Sequence, residues 1–227
     1  MVKYTDNQTI NGYMKHEEEY KKLKDNGFEG WGADNFHNRM EGWKINIEKI
    51  KEYLGNCQGN LLEIGCGTGD VSRLFYGLGF NVTGVDVAET AVDWAKEKSL
   101  KNGDNIRFIA SDICSTFQWE KEKYDVVIDG NCIHCILGQD RVQLLNNINS
   151  SLKQGGIFFI SSIVLSSDHD EKEENKEKLK TDIAPIERWM TTAEALEKEL
   201  IDAGFILRES WINERKANSH YCGIFMK

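Results

Sequence analysis

The run Asp129-Gly130-Asn131-Cys132-Ile133-His134-Cys135 gathers a carboxylate, a carboxamide, two thiols and an imidazole within one short segment. Imidazole titrates near neutral pH, so His134 is the candidate to take a proton from a hydroxyl, thiol or ring nitrogen. The same ring can instead hydrogen-bond a loop and line a pocket without moving protons, and both roles stand open. Cys132 and Cys135 have the C-x-x-C spacing of half a zinc site or a redox pair. A structural zinc takes four ligands, and no second Cys or His pair at suitable spacing occurs elsewhere in the chain. No thioredoxin-like surrounding accompanies the pair either. No metal is expected, and the two thiols are expected to line a pocket or be buried. Asn131 serves either a turn or a ligand.

A second chemical feature lies upstream. The apolar stretch Leu61-Leu62-Glu63-Ile64 runs into Gly65-Cys66-Gly67-Thr68-Gly69-Asp70. Alternate glycines after a strand allow a sharp turn and close approach of backbone to a ligand, because no Cβ is in the way. Downstream, Val82-Thr83-Gly84-Val85-Asp86 reads as a strand ending in a carboxylate, placed to accept the hydroxyl hydrogens of a ribose. Ile106 to Ala110 reads as a third strand, ending at Ser111-Asp112-Ile113. A nicotinamide or flavin site would read G-x-G-x-x-G, with the third glycine packing a helix close to a pyrophosphate. Here Asp70 holds that position. A carboxylate there repels a pyrophosphate and tolerates a cationic ligand.

With LLEIGCGTGD, VTGVDVA, ASDI, YDVVIDGNCIHCI and LKQGGIFFIS in this order, the chain resembles the class I S-adenosylmethionine (SAM) dependent methyltransferases of small-molecule type, over roughly residues 50 to 227. The resemblance implies SAM as cofactor. It implies that Glu63 orders the glycine loop and that Gly65, Cys66, Gly67 and Gly69 approach the methionine part. Asp86, with Val87 beside it, would hold the ribose; Asp112 would contact the adenine amine, Ile113 would offer its backbone amide to the ring, and Asn131 would border the cofactor. The Asn/Asp-Pro-Pro-aromatic run of enzymes that methylate adenine in DNA or protein glutamine is absent. Gln154 stands where the family has proline before Gly155-Gly156, which is expected to loosen that turn without touching the cofactor site.

These residues need a scaffold. Apolar runs predict strands at 60–64, 81–85, 106–110, 124–129, 156–163, 205–212 and 219–226, with helices over 71–78, 89–101, 141–152 and 193–203 between them. The alternation predicts an α/β fold: a doubly wound, seven-stranded, mostly parallel sheet with helices on both faces and an antiparallel final pair. Thr192 is the expected cap of the last helix and Gly204 its stop. Residues 1–55 break the rhythm and are read as a helical cap or lid on a SAM-binding domain at 56–227. Within the cap, Gly27-Phe28-Glu29-Gly30-Trp31-Gly32 is the candidate gating loop. Trp31, Cys132 and Trp189 are the candidate substrate-pocket residues. The charged run Asp168 to Lys178 reads as a solvated loop, with Pro185 and Trp189 beyond it as better lid candidates.

Composition narrows the partners. Against 28 Lys and Arg stand 37 Asp and Glu, a net charge of −9. That balance disfavours phosphate backbones, so no nucleic acid is expected. No apolar run suits a membrane span and the first residues lack a signal-peptide core, so the expectation is a cytoplasmic chain with reduced cysteines. The acceptor is expected to be a small neutral or cationic metabolite, methylated at N, O, S or C. Methyl transfer is an in-line displacement that positioning alone can drive, so no obligatory side-chain base is required. Two other readings remain: a non-catalytic SAM-binding sensor or partner subunit, and a methyltransferase of RNA or protein. Oligomeric state is not readable.

Overall fold

The computed structural model describes residues 12–55, 58–165, 188–213 and 219–227. Seven strands, β1 (Asn60–Ile64), β2 (Asn81–Asp86), β3 (Arg107–Ala110), β4 (Tyr124–Gly130), β5 (Leu152–Val164), β6 (Ile206–Asn213) and β7 (Ser219–Met226), form one sheet in the order β3-β2-β1-β4-β5-β7-β6. β1 to β5 pair in parallel, and β7 runs antiparallel to both β5 and β6. Strand order reverses between β1 and β4. In open α/β sheets the crevice at such a reversal, beyond the carboxyl ends of the strands, is where ligands sit.

Parallel strands buried on both faces need apolar side chains at successive positions. β1 and β4 supply them, and consecutive residues point to opposite faces. On one face Leu62, Ile64, Val127, Phe158 and Ile160 pack with Leu144 and Ile148 of α5 (Gly138–Ser151) and with Leu196 and Leu200 of α6 (Ala193–Asp202). On the other, Leu61, Val126, Ile128, Ile157 and Phe159 pack with Phe75 of α3 (Asp70–Tyr76). α6 is closed as its sequence predicts: Thr192 Oγ1 accepts from Ala195 N at 3.2 Å, and Gly204 follows with φ +92°.

The N-terminal helices pack in two different places. α1 (His16–Asp25) lies outside the sheet, where Tyr20 and Leu23 pack on Ala88, Ala91 and Trp94 around α4 (Glu89–Asn102). α2 (Phe36–Leu54) instead joins the sheet's own core. Trp43, Ile47 and Ile50, spaced three and four apart, contribute to the same cluster as Leu61 and Phe159, with Trp43 edge-on to Phe159 at 5.5 Å between centroids. Residues 12–54 thus share the sheet's core through α2 and lie outside it through α1. β5 also begins earlier than expected, at Leu152 directly after α5, and bends at Gly155 with φ +75°. The charged run 168–178 and Pro185 lie outside the described residues.

Candidate functional site

A cavity of about 300 Å³ opens at the strand-order reversal, within the size range of small-molecule sites. Glu63, Gly65, Cys66, Gly67, Asp86, Val87, Asp112, Ile113, Asn131, Cys132, His134 and Trp31 all line it. They come from five separate stretches of chain. Two expected residues do not line it. Gly69 starts α3 from behind the loop, packed under the Phe108 ring, and Trp189 contributes its backbone instead, donating N–H to the His134 carbonyl at 2.7 Å.

The glycine loop is built for close approach. Gly65 and Gly67 have φ of +65° and +52°. A Cβ on Gly65 would lie 2.5 Å from Cys132 Cβ, and one on Gly67 would lie 2.4 Å from the Tyr20 hydroxyl. Both contacts forbid a side chain. The loop is tied to the second strand through Asp86, whose Oδ2 accepts from Gly67 N at 2.8 Å and Oδ1 from Ala88 N at 2.9 Å. Burial pushes the Asp86 carboxyl up, and those backbone donors oppose it. Under the loop, Glu63 is fully enclosed and accepts from Ser72 Oγ. Burial raises its pKa to about 8. Asp70 is already neutralised, by Lys98 Nζ at 2.9 Å and by Arg73. Its carboxylate is therefore a weaker barrier to anions than its sequence position suggests.

Asp112 is engaged from the N-terminal region. The Tyr13 hydroxyl donates to it at 3.0 Å, while Cys114 N and Ser115 Oγ donate at 2.8 Å each. His16 follows, its Nδ1–H donating to the Tyr13 carbonyl at 2.6 Å and its ring 5.3 Å from that of Trp31. Neither Tyr13 nor His16 carries a sequence signal for this site. Only the packing of α1 on α4 brings them here, helped by Glu17, which accepts from Thr90 N and Oγ1.

At the tip of β4 the chain is held by two buried groups. Asp129 Oδ1 accepts from Cys132 N at 2.7 Å and Ile133 N at 2.9 Å; burial raises its pKa to about 7. Arg141, 1% exposed, donates to the Ile133 carbonyl and bidentately to Glu199 of α6 at 2.6 and 2.7 Å. Asn131 adopts φ +77°, a conformation asparagine tolerates better than most residues. Its Oδ1 is buried without a partner, as is His134 Nδ1. Unsatisfied buried polar atoms in a cavity wall mark places where a ligand atom would be stabilised.

Burial, then the Arg188 guanidinium, hold His134 well below the usual histidine range, so the ring is neutral at physiological pH. The thiols are inert. Burial drives Cys66 and Cys132 well above the ordinary thiol value and Cys135 up to about 12. Among the described residues no group of three or more His, Cys, Asp or Glu is arranged to hold a metal ion, and no helix is long and apolar enough to cross a membrane. Arg188, Ser161 and His220 complete the far wall, the last two hydrogen-bonded at 2.7 Å. The sequence concealed this because β7 is antiparallel, which brings its first residues, and so His220, beside the carboxyl end of β5.

A glycine loop tied to an acid on the next strand, at the reversal point of a 3-2-1-4-5-7-6 sheet, defines a class I SAM-dependent methyltransferase fold. Residues 57–211 match the family model described as "Methyltransferase domain", and the chain belongs to that family. It is 29% identical over 151 residues to the ubiquinone biosynthesis O-methyltransferase of Rickettsia bellii, a match covering 64% of this chain and 60% of that protein. The chain spans about 60% of the length of the curated relatives it matches. Among solved structures, the 1,6-didemethyltoxoflavin-N1-methyltransferase of Burkholderia thailandensis, with its substrate and S-adenosylhomocysteine bound, superposes with a TM-score of 0.67 at 19% identity over 98% of this chain and 93% of that one. The [4+2]-cyclase SpnF superposes equally well, TM-score 0.67 at 15% identity over 79% of each chain. The fold is thus shared by proteins named for different chemistries.

Proposed function

We propose that this chain binds SAM in the crevice between β1 and β4 and transfers its methyl group to a small-molecule acceptor. The observation that carries the reading is the hydrogen bond from Gly67 N to Asp86 Oδ2, which couples the glycine loop to the acid at the end of β2 on the wall of one cavity. The residues fit the cofactor. Gly65 and Gly67 present bare backbone, and Asp86 keeps further acceptor capacity for ribose hydroxyls after its two backbone donors. Asp112 with the Ile113 amide suits an adenine edge, and Asn131 Oδ1 lacks a partner that a bound amine would supply.

When bound, SAM supplies an electrophilic methyl group on a sulfonium sulfur. The chain's own part is to orient the acceptor and exclude water. His134 does so as a neutral hydrogen-bonding ring. The acidic composition supports a small molecule over a nucleic acid as acceptor, and the toxoflavin-type and ubiquinone-type relatives carry names of small-molecule enzymes.

Isothermal titration with SAM and S-adenosylhomocysteine tests the reading. One site per chain is expected for each, weakened at least tenfold by Asp86→Ala. Absence of binding to folded protein would overturn the cofactor assignment. A methyl-release screen over amines, phenols, thiols and carboxylates then names the acceptor atom, and tight binding without turnover across that screen would favour the sensor reading.

A further inference from the structure

Charge is unevenly distributed over the cavity wall. Its four carboxyl groups, Glu63, Asp70, Asp86 and Asp112, all belong to β1, β2 or the segments that follow β1 and β3; Glu63 is held protonated and Asp70 is paired with Lys98 and Arg73, which leaves Asp86 and Asp112 as the charges. The wall built from the carboxyl ends of β4 and β5, the start of β7 and the segment at 188 carries His134, Arg188 and His220 and, among the described residues, no Asp or Glu in its lining; Asp129, raised by burial to about 7, lies behind it and holds the β4 tip. One half of the cavity thus bears the carboxylates, with Arg39 and His16 beside Trp31 also on its wall, and the other has no carboxylate in its lining. The acidic half is the one the proposed cofactor uses.

Arg188 is held in place. Its neighbour Trp189 donates N–H to the His134 carbonyl at 2.7 Å, and Leu165 N, just past β5, donates to the Thr191 carbonyl at 2.9 Å. The Cys135 side chain hydrogen-bonds the guanidinium. Even so, Arg188 Nε is buried with no acceptor, and so is Nδ1 of His134, a residue only 3% exposed. Arg188 is half-buried as a whole, but these two atoms have given up hydration, and a ligand that supplies acceptors to them recovers the loss. A guanidinium is suited to a planar or tetrahedral oxyanion. With its proton on Nδ1, the neutral imidazole donates to the same group.

We propose that the acceptor substrate carries an anionic group, a carboxylate or a phosphate, and that Arg188 and His134 bind it in the half of the cavity formed by β4, β5 and β7. This departs from the expectation of a neutral or cationic acceptor drawn from the chain's net charge: the composition is acidic, whereas this interior wall presents a guanidinium and a neutral imidazole. The anion's role as methyl acceptor rests on the methyl-transfer reading; its binding does not.

Isothermal titration of the full chain, with and without saturating S-adenosylhomocysteine, separates the two. The probes are acetate and benzoate against acetamide and benzamide, and inorganic phosphate and phenyl phosphate against trimethyl phosphate. At least one anion should bind once per chain and at least tenfold more tightly than its neutral counterpart, and the carboxylate and phosphate arms decide between the two oxyanions. Arg188→Gln should weaken that binding at least tenfold and Arg188→Lys less, with S-adenosylhomocysteine titration of each variant reporting an intact fold. If no anion exceeds its neutral counterpart, or if Arg188→Gln binds it unchanged, the proposal is overturned. Anion binding without S-adenosylhomocysteine binding would sustain the anion site and remove the methyl-transfer reading instead.

Discussion

Burial and the Arg188 guanidinium keep the His134 imidazole neutral and weakly basic, which separates its two candidate roles. A general base works best with a pKa near the operating pH, and its loss costs about a hundredfold or more. A neutral ring that only hydrogen-bonds is replaceable by another donor. His134→Gln should therefore keep kcat within about tenfold of wild type, the worth of one hydrogen bond, while His134→Ala should lose more. A loss near a hundredfold in the Gln variant, measured once the acceptor is known, would restore the proton-taking role. Glu63 makes a second prediction. Its carboxyl, raised to about 8 by burial, stays protonated in the folded chain where the unfolded chain has already released the proton. The unfolded state then binds fewer protons, so this group makes stability fall as pH rises from near its unfolded pKa to about 8, after which its effect is constant. The slope is at most about 1.4 kcal/mol per pH unit. His16 and His134, pushed down, act the other way: their contribution is lost as pH falls below the unfolded histidine value. Comparing ligand-free wild type with Glu63→Gln by urea unfolding from pH 5.5 to 8.5 isolates the carboxyl, and parallel curves would refute its raised pKa.

Three elements meet at Arg141, and the pair it forms with Glu199 is asymmetric. Arg141 is 1% exposed, whereas the Glu199 side chain keeps 24% of its exposure. Removing Glu199 strands a buried cation, which typically costs about 3–5 kcal/mol. Removing Arg141 leaves a carboxylate that can rehydrate and one buried carbonyl, Ile133 O, without its donor, about 1–3 kcal/mol. Glu199→Ala should thus destabilise the protein more than Arg141→Met, the reverse of the order that side-chain size alone predicts. Urea midpoints decide it, and the opposite order would mean that water already reaches the guanidinium. Function follows from the same contact: Arg141 fixes Ile133, the residue before His134, so Arg141→Met should also raise KM for the acceptor.

At the scale of the whole molecule, what the sequence made legible was periodic or consecutive. The runs around Leu61, Val82 and Val126 announce parallel strands because apolar residues occupy both faces, as in Leu61-Leu62 and Val126-Val127-Ile128, and Gly65, Asp86 and Asp112 stand at strand ends that a doubly wound sheet must align. Contacts between elements distant in the chain left no such trace. Trp43 and Ile50 have the spacing of any amphipathic helix, which does not say that they join the core under β1 and β5. Tyr13, Arg188 and His220 reach one cavity from three remote segments, and a single sequence records no meeting of that kind. The N-terminal segment shows what this convergence entails. It is clasped to the proposed cofactor half at three points: Tyr13 on Asp112, Glu17 on the start of α4, and Tyr20 over Gly67. A ligand recognised by Asp112 and the glycine loop must compete with these contacts or lock them. S-adenosylhomocysteine at a hundred times its Kd stabilises a one-site protein by about 2.7 kcal/mol, or roughly 5–10 °C in Tm for a chain of this size. If the segment closes over the site, hydrogen exchange should slow across 12–32, including the Gly27–Gly32 loop, by more than it does in β7. A full Tm shift with exchange in 12–32 unchanged would instead make α1 a fixed buttress, with entry to the cavity governed elsewhere.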